Sequence, residues 1–366
     1  MNFDEQVFDW NQIKGLGNTG LQVSRLGCGL ACGDFSDIAH EVSRQSDLLG
    51  DRDPPGEGDD RVEPEDLLKA IWRSGVGVFD LGCIARSQAP AELRLQSLQS
   101  ALGTVATRLN QAAGPVAIVR LTLSQMVPNR VRLPHLLAGR TVGQLLEMIE
   151  QCVQRWAEIW AAANLASTRS IVVLDDLTFR PEELSRSQLS QVHQLVGGIF
   201  ELRSAERLGI LGVGGFYWQG LAELVSRHAF DFVLTRASSG MLGPDLQDSL
   251  IPICQFKGIG IMGSFPLYGG LLGDCPLQLE QHPANQDQRL NANAANLVAS
   301  EYQTTVKRLA WASALLTPGI DCTLIEIPTA DYLAQIMSST EPTLTARSEA
   351  MILRHLRSLD PRNWQY

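Results

Sequence analysis

The feature that most constrains the fold of this chain is a strict alternation of short apolar runs with longer amphipathic ones. Eight runs have the β-branched, Gly-bounded character of strands: "QVSRLGC", "GVGVFDL", "PVAIVRL", "SIVVLDD", "LGILGVGG", "FDFVLT", "GIGIMGS" and "DCTLIEI". Between them lie "EPEDLLKAIWRSG", "AELRLQSLQSALG", "TVGQLLEMIEQCVQRWAEIWAAANL", "QLSQVHQLVGGIFELRSAERLG", "GLAELVSRHAF", "DSLIPICQFKG" and "ASEYQTTVKRLAWASALLTPG". These place apolar residues three and four apart, the period of a helix that covers a sheet. Strands apolar enough to be buried on both faces belong to parallel sheets. Eight such strand-helix units predict an α/β chain folded as one (β/α)8 TIM barrel over residues 1–366, with "TARSEAMILRHLRSL" as an extra C-terminal helix on the outside. The rival architecture, an open doubly wound sheet, lacks its Gly-x-Gly-x-x-Gly turn after the first strand.

Two stretches break the rhythm. Residues 36–61, "SDIAHEVSRQSDLLGDRDPPGEGDDR", form an acidic insertion after the first strand, and residues 276–296, "PLQLEQHPANQDQRLNANAAN", read as a Gln/Asn-rich loop after the seventh. Both follow strand C-terminal ends, the face on which barrels build their chemistry. Loops of this length are either functional lids or tolerated insertions, and the residues fit both.

Bulk properties remove whole classes of function. A formal net charge of -10 and a pI near 5.1, with no basic stripe, exclude nucleic acid as a partner, since phosphate binding needs clustered Lys and Arg. The apolar runs are interrupted by Gly, Pro or charge well short of a membrane span, and "MNFDEQVFDWNQ" is not an export signal, so the expectation is a soluble cytoplasmic protein. Seven cysteines without a Cys-x-x-Cys pair argue against a disulfide framework or a structural zinc site.

Several segments together resemble the aldo-keto reductases. "GLGNTGLQVSRLGCG" is similar to their opening, where a small β-hairpin closes the barrel floor ahead of the first strand. The likeness continues in family order through "GVGVFDLG" followed by Glu92, "ERLGILGVGGF", "LIPICQFKGIGIMGSFPLYGGLLG" and "VKRLAWASALLTPGI". The resemblance implies carbonyl reduction with NADPH, in which a tyrosine gives the proton, a lysine and an aspartate lower its pKa, and a histidine orients the substrate. Such a phenol needs a neighbouring ammonium to bring it toward neutrality. Carried over by position, Asp80 stands where the aspartate should be. Ala85 replaces the tyrosine, Leu121 aligns with the lysine with Arg120 just before it, and Asp175 replaces the histidine. On the cofactor side, Gly214 and Gly215 occupy the Ser-Asn pair that clamps the nicotinamide amide. Ser264, followed by Phe265, takes the place of the stacking tyrosine. After the eighth strand, "IEIPTADYLAQI" offers no Lys or Arg for the 2'-phosphate, and Thr329 and Asp331 suit a helix cap. The expectation is no cofactor, or weak NADP(H) binding.

Three functional readings follow. One is a non-reducing barrel, kept as a scaffold or repurposed. Another is an atypical NADP(H)-dependent oxidoreductase in which Arg120 supplies the lysine's charge. The third is a barrel enzyme in which Asp80 and Asp175 divide acid and base roles. Arg120 and Leu121 must face opposite sides of the strand, and the family alignment turns Leu121 inward, which leaves Asp80 without a cation. Asp80 can otherwise cap its loop or pair with Arg86 or Arg120. Cys32 and Cys83 also fall at strand ends, but none of His40, His135, His193, His228, His282 and His355 is placed to activate a thiol. The spacing of Cys32, Asp80 and Cys83 matches no metal motif. With two carboxylates and at most one arginine, the mouth suits a cationic or hydroxyl-rich small molecule. A protein partner stays open.

Overall fold

A computed structural model of the chain describes residues 13–29, 64–83, 95–96, 99–100, 115–123, 133–162, 169–175, 177, 179, 183–204, 209–215, 217–236, 246, 249–264, 266–267, 272, 286–327 and 330–339. An antiparallel hairpin of β1 (Ile13–Gly15) and β2 (Gln22–Ser24) comes first. Eight parallel strands follow: β3 (Leu26–Gly29), β4 (Val78–Cys83), β5 (Val116–Thr122), β6 (Arg169–Asp175), β7 (Ile210–Gly215), β8 (Phe232–Arg236), β9 (Gly260–Ser264) and β10 (Cys322–Glu326). They pair in chain order, and β10 returns to β3 with Thr323 beside Leu26, so the sheet closes into a barrel. The helices around it are α1 (Pro64–Arg73), α2 (Leu133–Gly139), α3 (Val142–Ala162), α4 (Arg186–Ser204), α5 (Trp218–Arg227), α6 (Leu250–Lys257), α7 (Gln286–Glu301), α8 (Val306–Leu316) and α9 (Ala330–Ser339). No described helix is long and apolar enough to cross a membrane.

Strand alternation divides the apolar residues into two layers. Val78, Ile118, Val173, Leu234, Met262 and Leu324 point inward and form one buried cluster with Leu16, Leu21 and Val23 of the hairpin. Their strand neighbours, among them Phe79, Val119, Leu121, Leu174 and Val213, point outward against helix residues such as Ile71, Trp72, Ile149 and Val196. Each large side chain taken out of water contributes roughly 1.5–3 kcal/mol. The runs are apolar at successive positions because both faces are buried.

The hairpin plugs the N-terminal end of the barrel. At its turn, Asn18 N–H donates to Gly258 O at 2.8 Å. Gly17 has φ +50°, and a Cβ on it would lie 2.3 Å from Gly260 N, so the approach to the base of β9 admits no side chain.

His135 lies on the short helix α2. Two features differ from the sequence expectation. The second half of the stretch expected as a Gln/Asn-rich loop is helical, since α7 runs from Gln286 to Glu301. The segment "ASEYQTTVKRLAWASALLTPG", expected as one helix, is the end of α7 and all of α8, separated at Gln303 with φ +54°. Thr305 restarts the helix as its N-cap, accepting Arg308 N–H on Oγ1 at 3.2 Å. The insertion at 36–61, the segment "TARSEAMILRHLRSL" and most of "AELRLQSLQSALG" lie outside the described residues.

Candidate functional site

The C-terminal ends of β4, β5 and β6 bring three charged side chains together. On β5, Val116 and Ile118 belong to the interior cluster and Ala117, Val119 and Leu121 to the outer one, so Arg120 faces inward. The same parity on β6 carries Asp175 inward, two residues beyond Val173. Arg120 Nη2 donates to Asp80 Oδ2, and Arg120 Nη1 lies 4.0 Å from Asp175 Oδ2. The side chains of Asp80 and Asp175 are 0% and 1% exposed and that of Arg120 is 11% exposed, so this is a buried ion cluster and not a rim contact.

This arrangement corrects the expected register. Leu121 is fully buried in the layer between strand and helices, and Asp80 has its cation. The alternation set by Val116 and Ile118 puts Arg120 on the inner face and Leu121 on the outer one.

Asp80 is held by its own loop as well as by Arg120. The pairing of β4 with β5 runs Asp80 to Ile118 and then Gly82 to Val119, so Leu81 is an extra residue and the strand bulges there. The bulge turns Gly82 to φ +89° and aims its N–H at Asp80 Oδ1, 3.0 Å away. Both expected local roles of Asp80, capping its loop and pairing with an arginine, are therefore present, and the arginine is Arg120.

Neighbouring strands shape the rest of the mouth. A Cβ on Gly214 would come within 2.8 Å of Val173 Cγ1 and 3.3 Å of Asp175 Oδ1. Gly214 therefore sits flush beside Asp175, and the wall can take no larger residue without moving Val173. Gly215 is buried next to it. Ser264, 4% exposed, directs Oγ at Thr235 O, 3.5 Å away. As a nicotinamide clamp these positions do not fit: the two glycines carry no side-chain donors, and at Gly214 there is no room to have one. Phe265, Ala85, Arg86, Cys32, Asp176 and Thr329 lie outside the described residues, as do His40, His282 and His355.

Two inward positions were missed in the sequence. Thr122, buried at the end of β5, follows the parity of Arg120, and half-buried Glu326 follows that of Leu324 on β10. Counting by twos from an inward apolar residue would have found both. Among the thiols, Cys83 is half-buried at the end of β4, whereas Cys28 packs outward in the core and burial pushes its thiol far up, so it is inert. No group of three His, Cys, Asp or Glu among the described residues could hold a metal ion.

Comparison with known proteins yields a likeness of fold. No family model matches the chain, and no curated protein does. Among solved structures, an aldo-keto reductase from Bacillus halodurans in its holo form superposes with a TM-score of 0.57 at 14% sequence identity, covering 94% of this chain and 96% of that one. At this identity the likeness establishes the shared barrel architecture.

Proposed function

We propose that the chain is a divergent barrel of the aldo-keto reductase superfamily that no longer reduces carbonyls and instead binds a small cationic or hydroxyl-rich molecule at its mouth. The observation that carries this reading is the buried cluster of Asp80, Arg120 and Asp175. Two carboxylates against one guanidinium leave the cluster with a formal charge of minus one, and Glu326 stands at another inward position. An anionic dinucleotide is repelled by such a mouth, while an ammonium or a set of hydroxyl groups finds acceptors in it.

The roles divide by hydrogen bonding. Asp80, engaged at both oxygens by the Gly82 amide and Arg120, is a positioning residue that holds Arg120. Asp175, beside the flush surface of Gly214, is the carboxylate that would meet a ligand donor. This division disfavours an acid-base pair of Asp80 and Asp175, because both oxygens of Asp80 are already engaged.

The test is a fluorescence titration with NADPH, an aldehyde-reduction assay, and a thermal-shift panel of amines and polyols. We expect no saturable NADPH binding in the micromolar range, no reduction, and stabilisation by members of the panel that is lost in Asp175→Asn. Tight NADPH binding with hydride transfer would overturn the reading. A second reading, an oxidoreductase in which Arg120 stands in for the lysine, is favoured by the Arg120–Asp80 contact alone. It requires reduction by the unmodified protein that is lost in Asp80→Ala. A lost-reductase history requires instead that activity appear only when Ala85→Tyr, Arg120→Lys and Asp175→His are combined.

A further inference from the structure

In the helix layer, outside the barrel, α4 and the end of α5 bring two imidazoles together. His193 Nδ1 lies 2.9 Å from His228 Nε2, and His193 Nε2 lies 3.3 Å from Glu223 Oε1. The carboxylate selects the tautomers. A carboxylate oxygen accepts only, so neutral His193 carries its proton on Nε2 and presents a lone pair at Nδ1, which His228 Nε2–H fills. The His228 ring is held against Phe200, with centroids 6.1 Å apart and planes 11° from parallel.

Beside this chain is an open cleft of about 370 Å³ lined by Arg186, Leu189, Ser190, His193, Arg227 and His228. Arg227 directs Nε at Glu223 Oε1, 2.7 Å away, which leaves both of its terminal amino groups for another acceptor. Arg186 has no ion-pair partner among the described residues. Two guanidinium groups against one carboxylate give the cleft a positive charge on a chain whose formal net charge is -10. A zinc ion does not explain the pair. Tetrahedral coordination holds two ring nitrogens about 3.3 Å apart with the metal between them, whereas these nitrogens are at hydrogen-bond distance and aimed at each other.

We propose that the cleft between α4 and α5 is a binding site for a small phosphomonoester. Arg186 and the terminal amino groups of Arg227 donate to the phosphate oxygens, the Ser190 hydroxyl adds a donor, and Leu189 packs against the esterified carbon chain. Paired guanidinium groups match a tetrahedral dianion. The volume lies at the lower end of the range of about 300–1,000 Å³ that small-molecule sites occupy, more than a bare phosphate needs. The imidazole pair adds a proton linkage. Burial, then His193 and Arg227, with Lys257 on α6 behind them, disfavour a charged His228, and Glu223 favours it. A dianion in the cleft opposes those cations, so binding draws a proton onto His228 and affinity falls as pH rises.

The experiment is calorimetric titration of the full chain with glycerol 3-phosphate and, separately, with inorganic phosphate, at about pH 6.5 and about pH 8. The variant is Arg186→Gln, which breaks no ion pair among the described residues. Expected are saturable binding of the ester, binding roughly tenfold weaker in the variant, the effect of losing one charge-assisted hydrogen bond, and weaker binding at the higher pH. Absence of saturable ester binding, or binding unchanged in Arg186→Gln, overturns the proposal. Inorganic phosphate bound as tightly as the ester overturns the assignment to a monoester and makes this a free-anion site.

Discussion

Removing the guanidinium at position 120 is the sharpest physical test of the barrel mouth. In Arg120→Leu the carboxylate of Asp80, 0% exposed, keeps only the Gly82 amide, and Asp175, 1% exposed, loses the cation 4.0 Å away. Breaking a buried ion pair from one side costs about 3–5 kcal/mol, because the remaining charge is left desolvated. With an unfolding entropy of about 2.1 cal/mol/K per residue over 366 residues, that loss lowers the melting temperature by about 4–6.5 °C. Urea denaturation gives the free energy and calorimetry the temperature. The companion variant Asp80→Asn/Arg120→Leu removes the charge that Arg120 contacts most closely, and it should recover more than half of the loss. A cost below about 1 kcal/mol in Arg120→Leu, the range of an exposed surface pair, would refute the buried-cluster argument. So would a double variant no more stable than the single one.

Three further outcomes are expected. Gly82→Ala forces a Cβ onto a residue at φ +89° that also caps Asp80, and should cost about 1–2 kcal/mol in urea denaturation; a neutral substitution would show that the bulge relaxes freely. Lys307 is 7% exposed, with Nζ 5.0 Å from the Trp311 ring centre and 4.5 Å from that of Tyr332. Lys307→Met should cost about 1–2 kcal/mol through lost cation–π attraction between α8 and α9, and a variant as stable as the parent would show that apolar contact alone joins them. His228 has its pKa lowered by burial first and by His193 and Arg227 next. A folded value below the unfolded one means that its neutral state supports the fold fully above about pH 6.5 and that this support is lost as pH falls through the window below. Stability curves of the parent and His228→Asn should therefore hold a constant offset above about pH 7 and change that offset below it; parallel curves throughout would disprove the assignment.

The strands were legible because burial on both faces leaves little room for polar residues, and "SIVVLD" or "GIGIMGS" can be little else when flanked by amphipathic runs. Helix boundaries were less so. The restart at Thr305 was visible as a Thr followed three residues later by the amide it caps, but the continuous apolar period across Tyr302 concealed it. The Gln/Asn-rich composition around Gln286 suggested a loop, although its Ala292, Ala295 and Val298 are buried at helical spacing. At the site, Asp80 and Asp175 were placed correctly by the ends of their strands. For Arg120 the family resemblance and the period of two point to opposite faces of the strand, and the period of two is the one the fold obeys. The bulge at Leu81 left no sequence signal beyond Gly82 itself.

The seam of the barrel has a consequence for how the protein is made. Thr323 pairs with Leu26, and Asn18 bonds to Gly258, so the earliest strands complete their contacts only with the latest ones. Roughly 300 residues separate the two sides of the seam, and at a synthesis rate of about 5–20 residues per second the hairpin and first strand wait about 15–60 s for their partners. Throughout that interval β3 presents an unpaired edge to whatever surrounds the nascent chain. The ring cannot close before β10 has been synthesised, whatever the order in which the other strands pair.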